Sequence, residues 1–364
     1  MMHKKNIRLI LAGSVSIHTW RYLRYIAPHV KTILLVGGGD IPSCYRPANL
    51  EAQLPVSFTF SAYNLPQRIR AWLLQYWPDL LKQSVPTVLH IHQANSIAWH
   101  MLQATSAMKI TTLLTCYGSD VLQAKSVWWQ YQLLKKYLKH VDYVTVASYE
   151  MARIVSPLLL KSDRLSVLNF GVSMPNRSFS KRQYVLSNRL HKPLYRIDAI
   201  LRAWQRVEAV HPDWLLLIAG EGHQTVILKN LAQALQLKQV QFIGMVSEQA
   251  LNKLYQSAAI FVSVPNSDAV SLSLSEAMAY GCIPVVSNIA GNVEVIRDGV
   301  NGIVHPHTDL MGLSNSILRA IMLTKNSARM DRLILMNRQI VRASGLRSQS
   351  IQRFVAIYHE LCSI

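Results

Sequence analysis

Short apolar segments alternate with longer stretches of helical periodicity along most of the chain. This alternation constrains the fold more than any other feature of the sequence. Ile7–Ala12, Thr32–Val36, Val88–Ile91, Ile110–Thr115 and Tyr143–Ala147 read as strands, with helices around Trp20–Ile26, Ser96–Ala107 and Trp128–Lys139. The pattern recurs further on. Strands are expected at Gln183–Leu186, Trp214–Ala219, Val240–Ile243, Ile260–Val264 and Ile283–Val286. The helices between them fall at Ile197–Val210, Val226–Leu235, Leu251–Ser257 and Leu272–Tyr280, and the tail from about Leu310 is mostly helical. Strands that are apolar throughout must be covered on both faces, as in a parallel sheet layered with helices. The expected fold class is therefore α/β, with two doubly wound parallel sheets. Ligands on such sheets bind beyond the C-terminal ends of the strands.

At roughly 100–200 residues per domain, 364 residues suggest two domains. Half of the residues are apolar, enough for two cores. Asn169-Phe170-Gly171-Val172 closes the first half, and the Ser-, Pro- and Asn-containing segment after it reads as a linker near Gly171–Ser180. The expected division is 1–175 and 176–345, with 346–364 as a separate closing helix.

Cys44, Cys116, Cys282 and Cys362 are widely spaced and form no C-x-x-C pair, so neither a zinc site nor a disulfide framework is indicated. Reduced thiols in a cytoplasmic protein are the simplest reading. The basic stretch Met1–Arg8 leads into a short apolar segment that lacks the form of a signal peptide. No run approaches the ~20 apolar residues that span a bilayer.

The formal charge of +19 admits three partners: nucleic acid, an anionic membrane surface, or phosphorylated small molecules. Residues 315–364 hold eight Lys/Arg against two Asp/Glu, so the excess is spread over the chain. Trp128, Trp129, Tyr131, Lys135, Lys136, Tyr137, Lys139 and His140 form an aromatic and basic helix. Such a helix suits an anionic bilayer, or packs Leu133, Leu134, Tyr137 and Leu138 inward with its lysines solvated. No nucleic-acid fold motif is present, and the expectation is no nucleic acid. Gly37-Gly38-Gly39-Asp40 does not match G-x-G-x-x-G and follows the second strand, so it is read as a turn.

The chemistry concentrates in Ser267 to His305. Asp268 falls in the loop after a strand, and Glu276 eight positions later lies inside the following helix. Each carboxylate could accept hydrogen bonds from sugar hydroxyls. The helix start between them offers unpaired N–H groups and a partial positive charge, a natural seat for a phosphate or pyrophosphate. On spacing alone, the same two acids also fit a helix-stabilising acid and an exposed glutamate.

The stretch Asp268-Ala269-Val270-Ser271-Leu272-Ser273-Leu274-Ser275-Glu276-Ala277-Met278-Ala279-Tyr280-Gly281-Cys282-Ile283-Pro284-Val285-Val286 resembles the donor-binding signature of the retaining family 4 glycosyltransferases, which have the GT-B fold. Asp268 stands where a glutamate is usual. Gly291-Asn292-Val293-Glu294-Val295-Ile296-Arg297-Asp298-Gly299-Val300-Asn301-Gly302 continues the signature. Further matching pieces occur in order: His90-Ile91-His92, Gly118-Ser119-Asp120, Asn188-Arg189-Leu190, Ile218-Ala219-Gly220-Glu221-Gly222 and Phe242-Ile243-Gly244.

The resemblance implies two Rossmann-like domains facing each other across a cleft, the last helix returning to the first domain. It implies Glu276 on the ribose, Asp268 on the transferred sugar, and the N–H groups of Val270, Ser271 and Leu272 on the diphosphate. Gly220, together with Gly244, Met245 and Val246 against the base, completes the donor side. Gly13 and Ser14 would approach the diphosphate from the first domain, and Arg189 would neutralise the leaving group, a task suited to a forked guanidinium. Acceptor-side candidates are His92 and Asp120.

At Tyr195 the sequence departs from the family a second time. Tyr195 in Tyr195-Arg196-Ile197-Asp198 stands where a lysine is usual, which leaves Lys192 or Arg196 as candidate second cations. The resemblance further implies a hexosyl- or N-acetylhexosaminyl-type transferase that retains anomeric configuration and uses neither metal nor cofactor beyond its nucleotide-diphosphate sugar donor. The expected acceptor is a glycan or a lipid-diphosphate-linked sugar of bacterial surface polysaccharide synthesis, met in the cytoplasm or on the inner face of the cytoplasmic membrane. The rival readings are a catalytically inactive glycosyltransferase-like binding protein, motivated by Tyr195, and a basic nucleic-acid binder.

Overall fold

The structure, a computed structural model, describes residues 6–14, 16–37, 39–56, 64–82, 84–161, 163–306 and 312–363. Met1–Lys5 of the basic N-terminus, Gly38 of the glycine run and Leu310 of the tail lie outside them. The chain divides into two compact units: unit 1 is Met1–Phe170 with Gln349–Ile364, and unit 2 is Gly171–Ser348.

Unit 1 is built on seven parallel strands: β1 (Arg8–Ala12), β2 (Thr32–Val36), β3 (Leu50–Leu54), β4 (Thr87–His92), β5 (Thr111–Cys116), β6 (Tyr143–Val146) and β7 (Leu165–Val167), in the order β3-β2-β1-β4-β5-β6-β7. Unit 2 has six: β8 (Arg182–Ser187), β9 (Leu215–Ala219), β10 (Val240–Gly244), β11 (Ala258–Ser263), β12 (Ile283–Ser287) and β13 (Ile303–His305), in the order β10-β9-β8-β11-β12-β13. Both sheets are doubly wound. Strand order reverses between β1 and β4 in unit 1, and between β8 and β11 in unit 2. In doubly wound sheets such a reversal is where ligands bind, beyond the C-terminal ends of the strands.

Every strand expected from the sequence is present, with ends shifted by at most two residues. Three strands went unread. β3 is Leu-Glu-Ala-Gln-Leu on a sheet edge, where polar residues face outward. β7 and β13 are three residues each, also at edges, and too short to carry a period.

The helix Ile197–Val210 illustrates how the layers form. Ile197, Ile200, Leu201, Trp204 and Val207 recur at helical spacing and are all buried against the unit 2 sheet. The indole of Trp204 donates to the Gln239 carbonyl at 2.8 Å, which satisfies its polar atom. The helix ends at His211, before Pro212.

In unit 1 the helix Arg347–Cys362 contributes Tyr358 and Phe354 to the core. The Tyr358 hydroxyl lies 2.7 Å from that of Tyr22 and 2.8 Å from His90 Nδ1. His90 Nε2 continues the chain to Thr115 Oγ1 at 2.6 Å, and Thr115 meets Thr145 at 2.6 Å. Every member of this chain is buried, so each bond replaces a desolvation cost.

Candidate active site

In unit 2 the loops after β8, β9, β10, β11 and β12 meet at the strand C-termini. Close backbone approaches at glycines hold them together. A Cβ on Gly220, whose φ is +124°, would lie 2.6 Å from the Arg189 carbonyl oxygen, and one on Gly222 would lie 2.5 Å from that of His191. Gly220 N–H donates to the Gly244 carbonyl at 2.8 Å, and His191 N–H donates to that of Glu221 at 3.1 Å. On the other side, a Cβ on Gly291 would lie 2.5 Å from the Ala269 carbonyl carbon. Asn292 donates to the Ser287 carbonyl at 2.9 Å, and Ser287 donates to that of Pro265 at 2.9 Å. Asn266 N–H donates to the Leu194 carbonyl at 2.9 Å, which joins the loop after β11 to the turn after β8.

This framework brings Arg189 and Asp268 together at the β8/β11 reversal. Arg189 Nη2 donates to Asp268 Oδ2 at 2.6 Å, and Asp268 Oδ1 accepts the N–H of Ala269 at 3.0 Å. The Arg189 guanidinium carbon stands 4.2 Å from the centroid of the Tyr195 ring. Burial alone would lower the arginine's pKa; Asp268 and Tyr195 outweigh it, and the guanidinium sits above its ordinary value. A fixed, permanently charged fork is thus available at the strand ends.

The helix Leu272–Ala279 starts beside this pair. Its Ser271 N-cap accepts the N–H of Leu274 at 3.2 Å. Val270, Ser271 and Leu272 thereby occupy the positive end of the helix. Glu276, 5% exposed, lies inside the helix and accepts from the Tyr255 hydroxyl at 3.1 Å. Asn188 donates to that hydroxyl at 2.8 Å. Burial, then the Glu276 charge, raises the Tyr255 pKa well above its ordinary value, so it remains a donor. Met245 is 62% exposed just after β10, and Val246 packs partly into the core.

Lys192 is exposed, and its carbonyl accepts Tyr195 N–H at 3.0 Å to close a short turn. Arg196 begins the next helix with φ +50°. The group set against Arg189 is the aromatic ring of Tyr195.

Three residues that sequence reasoning gave no role belong to this site. Tyr255 and Asn188 hold Glu276. His191, 1% exposed, has Nδ1 on Thr225 Oγ1 at 2.8 Å, while its Nε2 has no partner among the described residues. Asn188 Oδ1 is likewise buried without a partner among them.

In unit 1, Gly13 and Ser14 follow β1, and His92 ends β4, on the two sides of the β1/β4 reversal. Ser14 Oγ lies 3.5 Å from Gln93 Oε1, and a Cβ on Gly13 would stand 3.4 Å from His92 Cβ. His92 Nδ1 is 2.6 Å from the Tyr117 hydroxyl, and its Nε2 has no partner among the described residues. Burial, then His18, lowers the His92 pKa to about 3, so the imidazole is neutral. Asp120 spends both oxygens on the backbone: Oδ2 accepts from Ala94 at 3.0 Å, and Oδ1 accepts from Gly118 at 2.9 Å and Tyr117 at 3.1 Å. It ties together the loops after β4 and β5.

Residues 15–174 match the family model described as Glycosyltransferase Family 4, and residues 175–333 match that described as Glycosyl transferases group 1. The chain is 24% identical over 314 residues to a phosphatidyl-myo-inositol mannosyltransferase of Mycolicibacterium smegmatis, covering 83% of this chain and 76% of that protein. It is 30% identical over 148 residues to an exopolysaccharide phosphotransferase of Streptomyces coelicolor, covering 40% of this chain. The chain spans 15% of the length of that relative, and 25% and 28% of two uncharacterized glycosyltransferases from Haemophilus influenzae and Methanocaldococcus jannaschii. The crystal structure of Anabaena HepE in complex with UDP and glucose superposes with a TM-score of 0.76 at 12% identity, covering 96% of this chain and 98% of that one. At this identity the likeness shows the fold.

Proposed function

The chain belongs to the family 4 glycosyltransferases, and from that premise we propose that it moves a hexosyl or N-acetylhexosaminyl group from a nucleoside-diphosphate sugar held by unit 2 to a glycan or lipid-linked acceptor held by unit 1. The observation that carries this reading is the Arg189–Asp268 pair at the β8/β11 reversal, beside the start of the helix Leu272–Ala279.

Each part has a task. Glu276, held by Tyr255, accepts from the ribose hydroxyls. The N–H groups of Val270, Ser271 and Leu272 face the diphosphate. Arg189 turns its remaining donors to the same oxygens, and Asp268 accepts from the sugar. Gly220, Gly244, Met245 and Val246 bound the space for the base. In the transfer, the bond from the anomeric carbon to the diphosphate oxygen breaks. The acceptor oxygen bonds to the same face of that carbon, and the acceptor's proton passes to the diphosphate. The configuration is retained. Developing charge on the diphosphate is met by Arg189 and the helix start, so the reaction as proposed uses no metal ion. His92, neutral and with Nε2 available, suits a contact to a sugar or acceptor hydroxyl.

Two names among the relatives support a role in surface polysaccharide or glycolipid synthesis: the exopolysaccharide phosphotransferase and the phosphatidyl-myo-inositol mannosyltransferase. The +19 charge supports work at the inner face of the cytoplasmic membrane, against lipid-diphosphate acceptors. Among the described residues, no helix is long and apolar enough to cross a membrane. The test is a thermal-shift and turnover screen against UDP-, GDP- and ADP-sugars. One donor should raise the melting temperature and be consumed when an acceptor is present. Stabilisation without hydrolysis or transfer would instead favour an inactive, glycan-binding relative, the reading that Tyr195 motivates.

A further inference from the structure

A cavity of about 870 Å³ in unit 1 lies between the helices Leu65–Tyr76, Ser96–Thr105 and Trp128–Leu138. It reaches Thr112 at the start of β5 and Asp142 just before β6. His92 ends β4 and Asp120 follows β5, at the opposite, finishing ends of the strands. β5 has six residues at roughly 3.3 Å each, so the two ends are roughly 17–20 Å apart. The cavity is therefore at the other end of the sheet from the strand C-termini that meet at the β1/β4 reversal.

Its lining is basic. Arg70, His100, Lys109, Lys136 and His140 are among the lining residues, and Asp142 is the one acid among them. Asp142 is already engaged, because its Oδ2 accepts the N–H of Thr112 at 2.7 Å. The Lys136 ammonium stands 4.2 Å from the centroid of the Trp99 ring, which places one cation at the wall. Tyr137, next in the chain, also lines the cavity. It is 2% exposed, and its hydroxyl has no hydrogen-bond partner among the described residues. Burial raises its pKa, so it stays a neutral donor. A buried donor left unmatched is a cost to folding that an incoming acceptor removes.

We propose that this cavity is a second binding site, for a ligand bearing a phosphate group, with Arg70, Lys109 and Lys136 meeting its charge and the Tyr137 hydroxyl donating to one of its oxygens. The phosphate belongs either to a free phosphorylated molecule or to a phospholipid head group. The helix that carries Lys136 and Tyr137 also presents Trp128 and Trp129, 77% and 51% exposed, at its other end.

The test is equilibrium binding of inorganic phosphate to the full chain, alongside co-sedimentation with phosphatidylglycerol and phosphatidylcholine vesicles. The variants are Lys136→Glu, Tyr137→Phe and Arg189→Ala. Lys136 is exposed, and Tyr137→Phe removes only an unmatched hydroxyl, so both variants should fold. Saturable phosphate binding should survive Arg189→Ala. It should weaken roughly tenfold in Lys136→Glu and about threefold or more in Tyr137→Phe, whose melting temperature should stay level or rise. If the lipid is the source, phosphatidylglycerol vesicles bind, phosphate competes, and both cavity variants lose binding. If a free molecule is the source, phosphate binds and vesicles do not. The proposal is overturned if phosphate does not bind, if its binding is lost only in Arg189→Ala, or if binding is indifferent to Lys136→Glu and Tyr137→Phe.

Discussion

The guanidinium of Arg189 stands 4.2 Å from the centre of the Tyr195 ring, at the position where the family usually carries a lysine. The ring supplies no charge of its own. It holds the arginine from one side while Asp268 holds it from the other at 2.6 Å. Tyr195→Ala should therefore lower kcat more than it raises KM. A cation–π contact of about 0.5–2 kcal/mol corresponds to a roughly 2–30-fold fall. Tyr195→Phe keeps the ring and should keep most of the rate. Steady-state kinetics of the two variants side by side provide the check; equal loss in both would show that the ring face is not what matters.

Arg189→Ala and Glu276→Gln should fail in different ways. In the role proposed for it, Arg189 is a donor to the departing diphosphate, so kcat of Arg189→Ala should drop roughly 100-fold or more with the fold intact. Glu276→Gln keeps an acceptor for Tyr255 but would lose the charge-assisted bond proposed to the ribose, worth about 1.5–3 kcal/mol, so KM for the donor should rise roughly 10–150-fold. Donor titration by calorimetry separates the two.

Gly291→Ala tests the framework apart from the chemistry. The added Cβ would fall 2.5 Å from the Ala269 carbonyl carbon, so the loop bearing Asp268 must shift. Overpacking of this kind costs about 1–3 kcal/mol. The variant should melt several degrees lower and bind donor more weakly. A variant that melts like the native chain and turns over normally would refute the role given to this contact.

Acid should destabilise unit 1 through its buried, neutral histidines. Burial, then neighbouring histidines, holds His90 well below its ordinary value of 6.5 and His92 at about 3. Between those values the unfolded chain binds more protons than the folded one, so stability rises with pH through the window and falls as pH drops below 6.5. Each group contributes up to about 1.4 kcal/mol per pH unit. Melting temperatures at pH 7, 6 and 5 should fall in that order. His92→Asn should flatten the trend; an unchanged slope would place its origin elsewhere.

The interior strands were legible because parallel strands buried on both faces are apolar throughout, as Thr32–Val36 and Ile283–Val286 are. The edge strand Leu50–Leu54 was not, because a glutamate and a glutamine interrupt it where one side meets solvent. Asp268, Glu276 and Arg189 were singled out as candidates through spacing and resemblance. The Arg189–Asp268 contact was not foreseen, since 79 positions separate the two in the chain. Tyr255 was missed for the same reason: it reads as an ordinary amphipathic-helix residue until the fold sets it against Glu276. Lys181, whose ammonium donates to the carbonyls of Tyr255 and Tyr280 at 2.8 Å, was also silent in the sequence.

The Tyr22–Tyr358–His90 chain has a consequence for biosynthesis. Unit 1 contains residues on both sides of unit 2, and Tyr358 emerges only after the 178 residues from Gly171 to Ser348 have been made. At ~5–20 residues per second that interval is roughly 9–36 s. Throughout it, His90 and Tyr22 have been translated but lack their partner. The half that begins first on the ribosome is thus completed last, and its core stays open to chaperones until the helix Arg347–Cys362 arrives.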